Sequence, residues 1–384
     1  MTATRILLHD ETLEPTFVPP QLVHRQEELT LLHRRYRDSL TKGIPYHMLL
    51  TGGIGSGKTA LVQHLGNDLE RVGKIGSNAV LKLYVNCWRR ASDRTVLLHL
   101  LRGLGVSLPD RGYSISEMLD VFEQGIRKAP RHLLVILDEA SALVRQETKL
   151  VYLLSRSGEV GLGSISLMLI ATEDLLPYLD PASRSSFGVT HRLALRPYDA
   201  KTLIDILESR ATLALRPGSW DRSVLEQIAR IAAPSGDARF ALEVLTGAAR
   251  VAENDQVASI RPEDVRAAKG SIYPTVTESR LEELPTSDLF VLLALARSLR
   301  GATSSIPSQK LREKHAALIE EYGAQPISRT TFWRALKGLE REGLLALAPT
   351  GNGSSATVSM DEMPTSYLTT VLEERIGSHR PRKA

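Results

Sequence analysis

The sequence predicts an α/β core, a parallel sheet between helices, followed by an all-helical unit and then a small domain of helices closed by a β-hairpin. Three observations carry this. Short apolar segments alternate with helical patterns from Tyr46 to Leu195, and the apolar period becomes helical throughout from Asp199 to Lys269. Beyond a Thr-, Ser- and Pro-rich linker from Tyr273 to Thr286, helices give way to two strand-like segments. A chain of 384 residues, 42% hydrophobic and 24% charged, suits two or three domains with ordinary cores and excludes disorder as its main theme.

The core strands are expected at His47 to Thr51, Leu81 to Cys87, Leu133 to Leu137, Ile165 to Ala171 and His191 to Leu195. Largely continuous apolar runs separated by helices imply a sheet covered on both faces. The helical unit is read from Leu203, Ile206, Leu207 and Arg210, then Val224 to Ala232 and Ala238 to Ala252, with Pro217, Pro234 and Pro262 between. The domains expected are 1–198, 199–276 and 277–377, with a basic tail at 378–384 that is expected to be disordered.

The longest wholly apolar run, Leu289 to Ala296, is far short of the ~20 residues of a membrane span. Asp10 and Glu11 stand where a signal peptide needs apolar residues. A soluble, cytoplasmic protein with no membrane partner is expected. The single cysteine, Cys87, excludes an intrachain disulfide and a thiolate zinc cluster, and reads as a small buried residue at a strand end. The net charge is +4, and residues 285–384 hold 13 Lys/Arg against 10 Asp/Glu, a mild bias compatible with nucleic acid or with an ordinary solvated surface.

Gly52-Gly53-Ile54-Gly55-Ser56-Gly57-Lys58-Thr59 fits G-x-x-x-x-G-K-[ST] (Walker A) and sits between a strand and a helix beginning near Lys58. Glycines let backbone N–H groups converge on phosphate oxygens, and the helix N-terminus adds its positive dipole end. Lys58 is expected to reach the β- and γ-phosphates of ATP and the Thr59 hydroxyl to ligate Mg²⁺, with Ala60 also counted at the ATP/ADP site. Downstream, Leu133 to Leu137 leads into Asp138 and Glu139 at the sheet edge where ligands bind. Asp138 is expected to hold Mg²⁺ through its water shell and Glu139 to polarise the attacking water. Two acids after a strand also serve as helix-starting residues; pairing with the phosphate loop favours the catalytic reading.

With both elements in hand, the chain resembles an AAA+ ATPase, and its downstream motifs resemble the archaeal-type replication initiators related to origin-recognition and replication-licensing proteins. Phe17-Val18-Pro19-Pro20 and His24-Arg25-Gln26-Glu27-Glu28 are similar to the family's N-terminal segment, which lies near the adenine. Tyr198-Asp199-Ala200 and Leu207-Glu208-Ser209-Arg210-Ala211 resemble the lid entry, which implies that Tyr198 and Arg210 contact nucleotide. Ser235-Gly236-Asp237-Ala238-Arg239 is similar to the second sensor, implying Arg239 on the γ-phosphate. Arg184 lies where the family has basic residues that act as an arginine finger on a neighbour, although Ala182 stands at the family's arginine after Asp-Pro. Thr172-Glu173-Asp174 replaces the family's Ser-Asn-Asp, and Ala140-Ser141 follows Glu139 where a further aspartate is common. Loss of the water-orienting asparagine leaves Thr172 to supply a hydroxyl and implies slow, switch-like hydrolysis.

The last domain is legible without any family. From Ser328 to Arg341 a serine cap opens a helix whose apolar stripe is Phe332, Ala335, Leu336 and Leu339. Thr330, Arg334, Lys337 and Arg341 line the opposite face, with Arg329 beside them, a row suited to phosphates and base edges in a major groove. Segments Leu344 to Ala348 and Ala356 to Met360 flank a hairpin tip at Gly351-Asn352-Gly353, which completes a winged helix. A protein-interaction module with a solvated basic face is the other reading. Trp88-Arg89-Arg90, after the second strand, resembles the position of the helical insertion with which family initiators distort the duplex. Trp88 there reads either as a partly buried anchor or as a base-stacking residue.

The resemblance implies an ATP-dependent initiator that binds origin duplex DNA, associates with the nucleoid, self-assembles or joins related initiator subunits, and recruits a replicative helicase. A DNA- or partner-binding AAA+ ATPase of a mobile element or defence system, and a nucleotide-sensing transcription regulator, are the alternatives.

Overall fold

The computed structural model describes residues 5–42, 44–75, 80–109, 111–128, 132–157, 164–188, 191–272, 281, 284–300, 304–349, 356–360 and 364–378. The expected hairpin tip at Gly351-Asn352-Gly353, most of the linker from Tyr273 and the tail beyond Ser378 lie outside them. The chain divides into two compact units, Thr16–Asp199 with Ser235–Ala238, and Met1–Pro15 with Ala200–Pro234 and Arg239–Ala384.

In the first unit, α1 (Gln26–Lys42) precedes β1 (Met48–Gly52), α2 (Lys58–Ile75) and β2 (Val80–Asn86). α3 (Asp93–Gly103), α4 (Ile115–Lys128), β3 (His132–Asp138), α5 (Ser141–Val144) and α6 (Lys149–Ser155) follow. β4 (Ile165–Ala171), α7 (Pro181–Ser186) and β5 (Arg192–Leu195) complete it. The strands pair in parallel in the order β2-β3-β4-β1-β5. Alternation along β3 and β4 explains why these runs are apolar throughout. Leu133, Val135, Leu137, Leu167 and Leu169 pack with α3, α4, α5 and α6, whereas Leu134, Ile136, Met168 and Ile170 pack with α1 and α2. Each such side chain, fully buried, contributes on the order of 1.5–3 kcal/mol. All the parallel strands end at one edge, and the phosphate loop and Asp138 lie there.

Near the strands' opposite ends, the sheet buries His47 and His132. His132 shares hydrogen bonds with the hydroxyls of Ser164 (2.7 Å) and Ser166 (2.9 Å), and His47 Nδ1 accepts the Leu167 N–H at 3.2 Å. Burial lowers both imidazoles to about 4, helped at His47 by the neighbouring His191 and His132. The unfolded chain takes up these protons near pH 6.5 while the folded one does not, so stability must fall as pH drops from about 6.5 towards 4. The expected slope approaches about 1.4 kcal/mol per pH unit for each histidine. Thermal melts of the parent chain and of His132→Gln across this range check it; an unchanged slope in the variant contradicts the assignment.

In the second unit, the bridge between Leu7 and Leu215 and the N–H groups of Ile6 and Leu7 on Glu253 (2.6 and 2.9 Å) tie the N-terminal segment to the helices. Those helices are α8 (Ala200–Ala214), α9 (Arg222–Ala232), α10 (Ala238–Asn254) and α11 (Pro262–Ile272). Asp221 caps α9 by accepting the Val224 N–H at 3.1 Å. α12 (Thr286–Ser298), β6 (Ser305–Pro307), α13 (Ser308–Tyr322) and α14 (Arg329–Arg341) come next. β7 (Ala346–Pro349), β8 (Ala356–Ser359) and α15 (Thr365–Ser378) close the chain. The apolar run Leu289 to Ala296 is buried all round in α12, at the centre of this winged helix. β8 pairs antiparallel with both β6 and β7. No helix among the described residues is long and apolar enough to cross a membrane.

One polar network crosses the interior of this unit. Arg266, fully buried on α11, donates from Nε to Glu263 (2.9 Å) and from Nη2 to the Leu299 carbonyl after α12 (2.7 Å). Glu263 also accepts the N–H and hydroxyl of Thr365, each at 2.8 Å, at the start of α15.

Candidate nucleotide site and nucleic-acid interface

The phosphate loop leaves β1 and enters α2 as its sequence dictates. Gly55 and Gly57 adopt φ of +67° and +87°, a left-handed region that favours glycine. Each also has a close neighbour: a Cβ on Gly55 would meet the Asp237 carboxylate at 1.7 Å, and one on Gly57 the Tyr198 hydroxyl at 2.4 Å. Lys58, 7% exposed as a residue, turns its ammonium back on the loop and donates to the carbonyls of Gly52 and Gly53, both at 2.8 Å. Ile54 at the tip is exposed, Ser56 is buried, and Ala60 is half-buried in the first turn of α2.

Asp138 ends β3 at 2% exposure, and its carboxylate gathers the site. Oδ2 accepts the hydroxyls of Thr59 and Tyr84, both at 2.8 Å, and Oδ1 accepts the Glu139 N–H at 2.9 Å. The Asp138 carbonyl accepts the Cys87 N–H at 2.7 Å. Cys87 is buried as expected, its thiol pushed up to about 12 by burial and then by the charges of Asp138 and Glu139. Burial, then the Asp138 charge, raises the Tyr84 phenol far above its ordinary value, which keeps it a proton donor. Glu139, half-buried, has φ +53°, a turn that carries the chain off the strand end. Thr59 and Asp138 thus present adjoining oxygen donors, the chemistry a hard divalent cation selects. No cluster of three or more His, Cys, Asp or Glu side chains suited to a metal occurs among the described residues.

Arg25 is the residue whose reach the sequence least reveals. Its guanidinium donates to the Tyr198 hydroxyl (3.1 Å), the Ser56 carbonyl (2.9 Å) and the Arg196 carbonyl (2.7 Å), and stacks 4.3 Å from the Tyr198 ring centroid. Tyr198 is buried, and its N–H meets the Gly236 carbonyl at 3.3 Å, beside the Ala238 N–H on the Gly55 carbonyl at 3.3 Å. Segment 235–238 therefore docks on the phosphate loop. Arg239 is exposed in the first turn of α10, in the helical unit. Arg210, also in that unit, is buried with Nη2 on the Glu14 carbonyl (3.3 Å), and burial brings its guanidinium down to about 10. Arg184 is exposed on α7, with Nε on the Leu179 carbonyl at 2.9 Å. After β4, Thr172 is exposed and both carboxylate oxygens of Glu173 accept from Nη2 of Arg145, at 2.8 and 2.9 Å.

Trp88 and Arg89 are exposed and Arg90 is half-exposed, on a turn held by the Asn86 side chain, which accepts the Trp88 N–H at 3.1 Å. The segment is a turn leading into the Ser92-capped α3, not a helix of its own, and Trp88, 79% exposed, is not a buried anchor.

In the winged helix, Ser328 caps α14 on the Thr331 N–H (3.1 Å), and Phe332, Ala335, Leu336 and Leu339 are buried. Arg329, Thr330, Arg334, Lys337 and Arg341 are all exposed. Lys337 pairs with Glu340 at 2.8 Å and stands 6.0 Å over the Trp333 ring. A groove of about 750 Å³ runs along this helix, with Arg312, Arg329, Trp333 and Lys337 in its wall.

Three family models match separate stretches of the chain. The AAA domain family matches residues 44–179, the Cdc6 AAA+ ATPase-type lid domain 204–270, and the CDC6 C-terminal winged helix domain 279–367. An ORC1-type DNA replication protein 1 of Sulfurisphaera tokodaii is 28% identical over 357 residues, 92% of this chain and 89% of the relative. The crystal structure of Cdc6p from Pyrobaculum aerophilum superposes with a TM-score of 0.85 at 27% identity, covering 97% of this chain and 99% of that one. The Aeropyrum pernix ORC1 protein, solved in complex with DNA, gives 0.65 at 27% identity, with 96% and 97% covered.

Proposed function

We propose, from the premise that the chain belongs to the Cdc6/ORC1-type family of AAA+ ATPases, that it is a replication initiator which binds origin duplex DNA. Its ATP or ADP state would act as the switch for DNA remodelling and for recruiting a replicative helicase. The observation that carries this is the exposed basic face of α14 in a chain whose phosphate-loop Thr59 and acidic Asp138 are already joined at 2.8 Å.

In the ATPase reaction, Lys58 binds the β- and γ-phosphates, and Thr59 and Asp138 would hold Mg²⁺. Mg²⁺ held there would supply neutralisation of the phosphate charge. Glu139 takes a proton from water as the water oxygen bonds to the γ-phosphorus; the bond to the β-phosphate oxygen breaks, and ADP and phosphate leave. Tyr198 and Arg210 serve nucleotide binding, Arg239 the γ-phosphate, and Arg184 a neighbouring subunit's nucleotide in a self-assembled or mixed initiator complex. The exposed Thr172 and the paired Glu173 favour slow hydrolysis over vigorous turnover. Residues 1–198 would act as the nucleotide domain, 199–276 as the lid and 277–377 as the DNA-reading domain. The last would use Arg329, Thr330, Arg334, Lys337 and Arg341, assisted by Trp88, Arg89 and Arg90, on nucleoid DNA.

Mapping the sites occupied in cells by the parent chain and by Lys58→Ala tests the reading. A replication-origin peak that changes in the variant is the expected result; promoter or dispersed peaks overturn it.

A further inference from the structure

We propose that Tyr84 is a positioning residue for hydrolysis, its hydroxyl fixing the Asp138 carboxylate in the orientation that serves Thr59 and the metal. The inference rests on the role proposed above for Asp138.

A carboxylate at the end of a strand can turn about its last side-chain bond, and the acceptor it offers to a metal-bound water turns with it. Here three donors oppose that rotation: Thr59 and Tyr84 on Oδ2 and the Glu139 N–H on Oδ1. Thr59 has the metal to ligate, and Glu139 belongs to the turn that carries the proton acceptor. Tyr84 arrives from a different strand. Its backbone is set by the parallel register that pairs Tyr84 with Ile136 and Asn86 with Asp138, and its carbonyl shares a hydrogen bond with His99 Nε2 at 3.1 Å. The phenol is thus placed by sheet geometry, independently of the phosphate loop.

The ring alone offers a simpler role. Tyr84 is half-buried and packs against the core beneath α2, so a phenyl group would fill the same space. The hydroxyl is what the packing does not need. Partners that orient a metal-site ligand typically change metal affinity or activity by about 10–100-fold when removed.

The test uses the full chain with a fluorescent ATP analogue, measuring affinity in EDTA and in Mg²⁺ together with turnover, for the parent, Tyr84→Phe and Asp138→Asn. Tyr84→Phe is expected to bind like the parent in EDTA, to lose about 10-fold of the affinity gained from Mg²⁺, and to turn over more slowly by a similar factor. If Tyr84→Phe keeps the full Mg²⁺ gain and turnover while Asp138→Asn loses them, the hydroxyl is idle and the proposal is overturned, with the role of Asp138 intact. If Asp138→Asn also keeps them, the reading of Asp138 falls and Tyr84 falls with it. An equal loss of affinity with and without Mg²⁺ marks a structural role only, and overturns the proposal too.

Discussion

Glu139→Gln is expected to bind ATP as tightly as the parent chain and to hydrolyse it at least about 100-fold more slowly. General bases contribute about 10²–10⁴-fold, and an amide of the same shape can orient water but cannot take its proton. The backbone favours this clean separation. The Glu139 N–H stays on Asp138 Oδ1 whichever side chain follows, so Asp138 and Thr59 keep their places. Lys58→Ala is expected to do the opposite and weaken binding itself, because the ammonium turned back on the loop is removed. Equilibrium binding with single-turnover hydrolysis distinguishes the two effects. Unchanged hydrolysis in Glu139→Gln would remove that residue from the mechanism.

Arg334→Ala is expected to cost about 1–3 kcal/mol on the cognate duplex and to relax sequence preference, as loss of a bidentate base contact does. Lys337→Ala is expected to weaken all duplexes alike and to reduce the magnitude of the slope of log K against log salt by about 0.9. The Glu340 partner refines this expectation. Lys337 must leave a surface ion pair to reach a phosphate, so its affinity loss is smaller than a free lysine's, while its salt signature remains. Anisotropy on cognate and scrambled duplexes across a salt series checks both variants. Parent-like binding by both on both duplexes would favour a protein-interaction role for the winged helix.

The features legible in the sequence are those written locally. Leu133 to Leu137 and Ile165 to Ala171 lack polar residues, apart from Ser166, because both their faces are covered, and the phosphate loop declares itself through glycines that a Cβ would block. The Ser328 cap and the stripe behind it fix α14 within a few turns of chain. What stayed hidden depends on separation. Tyr84 meets Asp138 across 54 residues and Arg25 meets Tyr198 across 173, pairings that only the strand order creates. A signal existed at Tyr84: Lys82, Tyr84 and Asn86 are the polar alternates of an otherwise apolar edge strand. β6, three residues long, is too short to show a period. The exposure of Trp88 was invisible because an aromatic residue beside a strand end is compatible with burial or with a turn.

The Glu263 and Arg266 network has a mechanical meaning. A guanidinium with no exposure cannot be pulled from its carboxylate without stranding a charge in the interior, a penalty of about 3–5 kcal/mol. α11, the end of α12 and the start of α15 are therefore tied together through one buried pair, so that a relative twist of α11 and α15 would strain these bonds. A lesion at Arg266 would act like a cracked axle, with the nucleotide loop and the basic face of α14 each sound while torque between α11 and α15 is lost.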